Sequence, residues 1–351
     1  MRKIEKILQQ AQVPTARFLD RLPNFSQRGL LKLLAYPYDY PKLNPFTACL
    51  MAVKHKEKKI GFIADDVATT RRRYEQQIQI FARYKTAIQQ IQDLRLPLAS
   101  GTLKARHYHP QPHKKLAMLV FYHGGGFVAG SLETHDEICR LFAKHMRVQV
   151  LSIQYPLAPE ASPHQVIQAS QEALQWVYEN RRQLNIYKDR IAIAGDSAGG
   201  NICAVLSQQS LGQPYAPQAQ LLVYPAIDFA HTYPSLQIFG YGLPLTASDV
   251  EKVKHLYAQQ HQIALNDPLI SPVYAEPNLH LSATFIVTAG HDVLHDEAEF
   301  YAEKLAAHGC KVHYQNYDEH AHGFLHLTPI SKDAKKCCIE VAKQFKRFWF
   351  R

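Results

Sequence analysis

IAIAGDSAGG, residues 191–200, is the stretch on which the fold turns. An apolar, β-branched run stops at Gly195, and Ser197 stands between Gly195 and Gly199. Gly195-Asp196-Ser197-Ala198-Gly199 fits G-x-S-x-G, a pattern in which a strand turns sharply into a helix and presents a serine at the turn. The spacing has a physical cause. Such a turn strains the serine backbone, and side chains two residues to either side must be absent for strand and helix to approach. "RIAIA" before the pentapeptide supplies a strand, and "GGNICAVLSQQS" after it supplies a helix whose positive end faces charge developing at the serine.

A serine that attacks a carbonyl needs hydrogen-bond donors for the resulting oxyanion. "FYHGGGFVAG" (121–130) follows an apolar run and offers three successive glycines whose N–H groups can converge on one oxygen. Gly125 and Gly126 are the expected donors, with the Ala198 N–H as the third, while His123 and Gly124 shape the loop. In this kind of turn the remaining partners follow in the order Ser, Asp or Glu, His, each after a late strand. Two aspartates fit. Asp296 opens a helical pattern with Glu299 three residues on, the spacing of a capping box, so its role is already explained. Asp292 lies in the loop leaving the strand and is the expected orienting carboxylate.

For the base, "YDEHAHGFLH" (317–326) holds His320, His322 and His326. His322 precedes Gly323, which allows close approach, and is the expected base. The spacing of His320 and His322 comes without a carboxylate or cysteine set of ligand geometry, so no metal is expected, and no organic cofactor. The expected catalytic set is Ser197, Asp292 and His322.

Apolar runs at 116–123, 148–155, 190–196, 219–225, 283–290 and 311–317, with an alternating one at 101–110, predict strands. Helical patterns lie between several of them, at 163–184, 198–210, 296–308 and 332–348. Strands alternating with helices predict an α/β fold, a mostly parallel sheet covered on both faces. Residues 1–92 read helical: from Tyr74 the apolar positions Ile78, Phe81, Tyr84, Ile88 and Ile91 recur at helical spacing, and "AYPYDYPKLNP" (35–45) separates them from an N-terminal helical stretch. The catalytic domain is then 93–351, interrupted by an insertion at 231–265 expected over the carboxyl ends of the strands.

The chain has 351 residues and a net charge of +10. Residues 1–90 hold 17 Lys and Arg against 7 Asp and Glu, so the excess belongs to that segment and the remainder is neutral. A basic segment of this kind is a solvated face or a contact for anionic membrane surfaces. No nucleic-acid motif accompanies it. No run approaches a spanning helix, and polar residues interrupt "MRKIEKILQQ" before an apolar signal core forms, so a cytoplasmic location is expected. The six cysteines have no zinc or disulfide-framework spacing; they read as reduced packing residues, with adjacent Cys337 and Cys338 as surface and core of one helix.

"HGGGF" (123–127), "YPLAPE" (155–160), "GDSAGGN" (195–201), "YPAID" (224–228), "DPLISP" (267–272), "HDVLHDEAEFYAEKL" (291–305) and "HGF" (322–324) occur here in the order of the hormone-sensitive-lipase family, the bacterial family IV carboxylesterases, and the chain resembles that family from 94 to 326. The resemblance implies an α/β-hydrolase fold, a Ser197–His322–Asp292 triad, an HGGG oxyanion loop, and a helical cap built from the N-terminal segment and the 231–265 insertion. It implies hydrolysis of short- to medium-chain esters, with a small-molecule ester as partner. Two departures stand out: "ASPHQV" replaces the usual "HPFPA" continuation after Glu160, and "AGHD" replaces a more usual acidic dipeptide before Asp292. Two alternatives use the same residues. One is a deacetylase or amidase, and the other is a non-catalytic small-molecule binder; an exposed edge strand would also allow a homodimer.

Overall fold

A computed structural model of the chain describes residues 14–57, 61–79 and 85–351. The N-terminal portion is helical: α1 over 14–21, α2 (Asn24–Leu34), α3 (Pro45–Lys56) and α4 (Val67–Gln79). Asn44 caps α3, its side-chain oxygen accepting from the N–H groups of Phe46 and Thr47. The N-terminal stretch "MRKIEKILQQ", Phe81 and Tyr84 lie outside the described residues. The helix expected through Ile91 is a correction: α4 is described to Gln79, and Ile88 and Ile91 pack on the core from a loop and a strand.

That strand is β1 (Gln90–Leu98), which starts the sheet three residues before the catalytic domain expected from 93. It pairs antiparallel with β2 (Gly101–His109). β3 (Leu116–Tyr122) leads into α5 (Asp136–Met146) and β4 (Gln149–Gln154); α6 (Pro163–Glu179) precedes β5 (Ile186–Asp196). After α7 (Ala198–Gln209) and β6 (Ala219–Val223) the insertion contributes α8 (Pro234–Ile238) and α9 (Ala247–Val253). β7 (Ala283–His291), α10 (His295–Ala307), β8 (Val312–Ala321) and α11 (Lys332–Trp349) complete the described chain.

The strands form one sheet in the order β1-β2-β4-β3-β5-β6-β7-β8. β2 meets β4 antiparallel, and every pairing from β4 to β8 is parallel. Parallel strands need cover on both faces, which is why β3 reads as unbroken apolar sequence. Met118, Val120 and Tyr122 join one core with α6, α7 and α10; Leu119 and Phe121 join the other with α5 and α11. The sequence expectation left out α5, although Ile138, Leu141, Phe142 and Met146 recur at helical spacing and are all buried. Cys337 and Cys338 are both buried, so neither marks a helix surface; all six cysteines are free and buried.

Asp136, at the start of α5, fastens the antiparallel hairpin to the parallel sheet. Its carboxylate is 1 % exposed and meets Lys85 Nζ at 2.7 Å and Arg140 Nε at 2.8 Å. Tyr108 Oη of β2 donates to it at 2.8 Å, and Arg106 approaches at 3.5 Å. Burial alone would raise the Asp136 pKa, but hydrogen bonds from Lys85, Arg140 and Tyr108 outweigh it and hold it below the usual value. A depressed carboxyl pKa contributes stability that is present above the unfolded value of about 4 and is lost as pH falls through the folded value. Asp136→Asn should therefore lower stability at neutral pH by about 3 kcal/mol and flatten the acid limb of the stability–pH curve. Urea denaturation across pH checks this; an unchanged acid limb would assign the acid sensitivity to other groups.

Candidate active site

Ser197 sits at the turn between β5 and α7 with φ 53° and ψ −120°, a strained conformation for a residue with a side chain. Its N–H donates to Val223 O of β6 at 2.8 Å, which ties the turn to the sheet. A Cβ added to Gly195 would lie 2.2 Å from the Gly199 backbone, and one added to Gly199 would lie 1.9 Å from Tyr122 O of β3. The two glycines are thus required by contact distance.

The structure brings the three expected side chains together. Ser197 Oγ lies 3.0 Å from His322 Nε2, and His322 Nδ1 lies 2.7 Å from Asp292 Oδ2. Asp292 is 1 % exposed, and its other oxygen accepts from the Leu294 N–H at 3.0 Å, so the carboxylate is fixed from both sides. The Tyr224 ring packs beside the His322 imidazole, with centroids 4.7 Å apart. Asp296 is not a helix cap: the residue before α10 is Leu294, with no capping side chain. Instead Asp296 Oδ2 accepts from the Ser235 N–H at 2.8 Å and anchors α8. His320 points into a separate cluster at the start of α11, and His326 turns beneath the glycine loop.

Among the described residues, no protein backbone group accepts from the N–H groups of Gly125, Gly126 or Ala198. Gly125 has φ +123°, and its carbonyl is turned away to accept from Val128 and Ala129. His123 is a buried pillar of this loop rather than a ligand group. Its ring stacks on Tyr155 at 4.3 Å, and its Nδ1 lies 2.9 Å from Gly124 O. Burial, with His135 next to it, pushes the His123 pKa down to about 3, so the ring is neutral.

Asp196, unassigned from sequence, joins loop and turn. Its Oδ1 accepts from the Gly124 N–H at 2.9 Å and lies 3.2 Å from His135 Nε2; its Oδ2 lies 3.5 Å from His326 Nε2. Tyr74 Oη of α4 lies 3.1 Å from the same His326 nitrogen. Burial would raise the Asp196 pKa, yet His135 and His326 hold it well below the ordinary value, so the carboxylate stays charged. A second unassigned residue is Glu297, whose Oε1 accepts from the Ile227 N–H at 2.7 Å and fixes the loop after β6. The sequence signal for Asp196 is an acid inside a glycine-rich turn, whereas Glu297 stands among other acids in HDEAE (295–299) and has no local signal.

Segments remote in sequence meet above the glycine loop. Asp249 of α9 accepts from the N–H groups of Phe62 and Ile63 at 2.9 and 2.7 Å, and Lys252 Nζ donates to Ile63 O at 3.1 Å. A Cβ on Gly126 would lie 2.9 Å from Val253 and 3.6 Å from Phe62. Arg71 of α4 donates to Val128 O at 2.7 Å and to Ala158 O at 2.9 Å, holding the end of the glycine loop from outside.

A family profile described as the α/β-hydrolase fold matches residues 119–326. The chain is 38% identical over 247 residues to carboxylic ester hydrolase LipN of Mycobacterium tuberculosis, which covers 68% of this chain and 65% of LipN, a little under two thirds of that relative. It is 29% identical over 315 residues to ethyl acetate hydrolase of Pseudomonas putida, covering 87% of this chain and 99% of that protein. A hyperthermophilic esterase from the archaeon Pyrobaculum calidifontis superposes with a TM-score of 0.81 at 30% identity, over 87% of this chain and 98% of its own.

Because Gly199 lies against the β3 carbonyl, Gly199→Ala should destabilise the fold by about 3 kcal/mol, the upper range for overpacking. Chemical denaturation of variant and parent checks this. Equal stability would mean that β3 and α7 can separate at no cost.

Proposed function

The chain belongs to the α/β-hydrolase fold family, in its hormone-sensitive-lipase-like branch, and on that premise we propose that it is a serine carboxylesterase acting through Ser197, His322 and Asp292. The observation that carries this is the unbroken chain of contacts, 3.0 Å from Ser197 Oγ to His322 Nε2 and 2.7 Å from His322 Nδ1 to Asp292 Oδ2. His322 Nε2 takes the hydroxyl proton as Ser197 Oγ bonds to the ester carbonyl carbon. The carbonyl oxygen, now negative, receives the N–H groups of Gly125, Gly126 and Ala198, each donor contributing about 3 kcal/mol. His322 then gives its proton to the departing alcohol, leaving an acyl group on Ser197. Water deprotonated by His322 attacks that acyl group, and the acid leaves as His322 returns the proton to Ser197 Oγ. Asp292 fixes the imidazole tautomer and stabilises the imidazolium in both halves.

The substrates are esters of short to medium acyl chains. Support comes from the apolar side chains of Phe62, Ile63 and Val253 crowded above Gly126, and from ethyl acetate hydrolase among the similar proteins. The N-terminal helices and the 231–265 insertion together make the cap over the site, joined through Asp249. Ser197→Ala should lower kcat for p-nitrophenyl esters by about 10⁶-fold and abolish labelling by a fluorophosphonate probe, with the fold intact. In the parent, kcat/KM measured from acetate to palmitate esters should peak at short or medium length. Near-normal turnover in the variant would remove Ser197 as nucleophile, and a peak at palmitate would overturn the acyl preference.

The basic N-terminal portion supports peripheral contact with anionic lipid. Phe18, Phe25 and Leu33 expose 64–79% of their surface beside Arg21 and Lys32. Such contact is electrostatic and apolar together, so added salt should weaken binding to phosphatidylserine-containing liposomes. Co-sedimentation checks it; binding equal on neutral and anionic liposomes would contradict the charge-based part.

A further inference from the structure

Away from the catalytic centre, three metal-ligating side chains converge at the start of α11. Asp333 and Cys337 stand four residues apart on that helix, so their side chains leave the same face. His320 of β8 meets them from the sheet. Its Nε2 lies 3.2 Å from Asp333 Oδ2 and 3.3 Å from Cys337 Sγ, and all three donor atoms fall within 4.8 Å of one another. In a tetrahedral zinc site the ligand atoms are separated by about 3.3–3.6 Å, given bonds near 2.0 Å to nitrogen and oxygen and 2.3 Å to sulfur. The two spacings from His320 are close to that size, and Asp333 Oδ2 and Cys337 Sγ lie within 4.8 Å of each other.

The surroundings also suit an ion. His320 and Cys337 are buried, whereas Asp333 is 45% exposed and opens a path for the ion and a water ligand. The Phe324 ring stacks on His320 at 4.7 Å and fixes the imidazole plane. Asn44 Nδ2 donates to Asp333 Oδ2 at 3.2 Å, the kind of outer contact that orients a ligand carboxylate. A divalent cation held by His320 Nε2, Asp333 Oδ2 and Cys337 Sγ would take the sulfur as thiolate beside the carboxylate.

We infer that His320, Asp333 and Cys337 form a binding site for one zinc-class divalent cation, with water completing four-coordination. One nitrogen, one carboxylate oxygen and one sulfur donor select zinc-like ions over magnesium or calcium, which take oxygen ligands. Binding forms three metal–ligand bonds and sends the Cys337 proton to solvent, with no change of oxidation state. The role is structural: the ion fastens α11 to the end of β8, two residues before His322. Asn44, the α3 cap, is also tied there, its N–H donating to Glu319 O at 2.8 Å. The inference does not depend on the esterase assignment.

The test uses the full chain, reduced and freed of metal by chelator. Titrated cobalt(II) should give a thiolate-to-cobalt absorption band saturating at one equivalent with release of a proton, and zinc should then displace the cobalt and remove the band. Cys337→Ser should abolish the band and weaken zinc binding about a hundredfold or more, since even outer contacts are worth ten- to a hundredfold. Asp333→Asn, at a half-exposed position that is safer for folding, should weaken zinc binding at least about tenfold, and Cys310→Ala should change neither reading. The inference is overturned if folded parent gives no thiolate band, or if the band survives Cys337→Ser. It is equally overturned if cobalt binds without a band, as it would at the sulfur-free trio His135, Asp196 and His326.

Discussion

Strand β5 and helix α7 meet at Ser197 only because neither Gly195 nor Gly199 carries a side chain. A methyl group on either would occupy backbone already in place: Gly199 itself in one case, Tyr122 of β3 in the other. This contact has consequences well beyond the turn. It sets the serine at φ 53° and lifts its hydroxyl toward His322. The strain at one residue is supported by the surrounding sheet, where the Ser197 N–H is held by β6 and β3 lies directly alongside.

Asp196 extends that constraint to the second half of the site. A charged carboxylate buried beneath the turn would be costly alone, and here it is balanced by His135 and His326 and by the Gly124 N–H. The same side chain thus belongs to the turn and holds the loop, tying the proposed nucleophile to the proposed oxyanion donors. Arg71 and the Asp249 contacts then add the N-terminal segment and the insertion to one connected body above the serine.

Much of this was legible in the sequence, and the exceptions have physical reasons. Buried parallel strands such as 116–122 announce themselves because both faces are apolar. The Gly195–Gly199 spacing is legible because close backbone approach permits one residue type. Strand β1 was hidden by chance: Ile88 and Ile91 continue the three- and four-residue spacing of α4, although their apolar faces reach the core from a loop and a strand. Asp296 and Glu299 have the spacing of a capping box, yet α10 begins at His295, and Asp296 serves α8 instead. Asp196, His135 and the His320–Asp333–Cys337 cluster depend on contacts across 61, 17 and 13 residues or more, which no local pattern records. Tertiary pairing of polar groups was the part the sequence left unread.

The proposal to test is that the turn at Ser197 and the glycine loop at 124–126 present nucleophile and oxyanion donors to the same carbonyl. A crystal structure of the protein inactivated by an alkyl phosphonate tests it directly, because the tetrahedral phosphorus imitates the attacked carbon. The account predicts a covalent bond to Ser197 Oγ, with one phosphonyl oxygen about 2.7–3.1 Å from the amide nitrogens of Gly125, Gly126 and Ala198. Phosphonate attached to another residue, or attached to Ser197 with its oxygen directed away from those three amides, would contradict it.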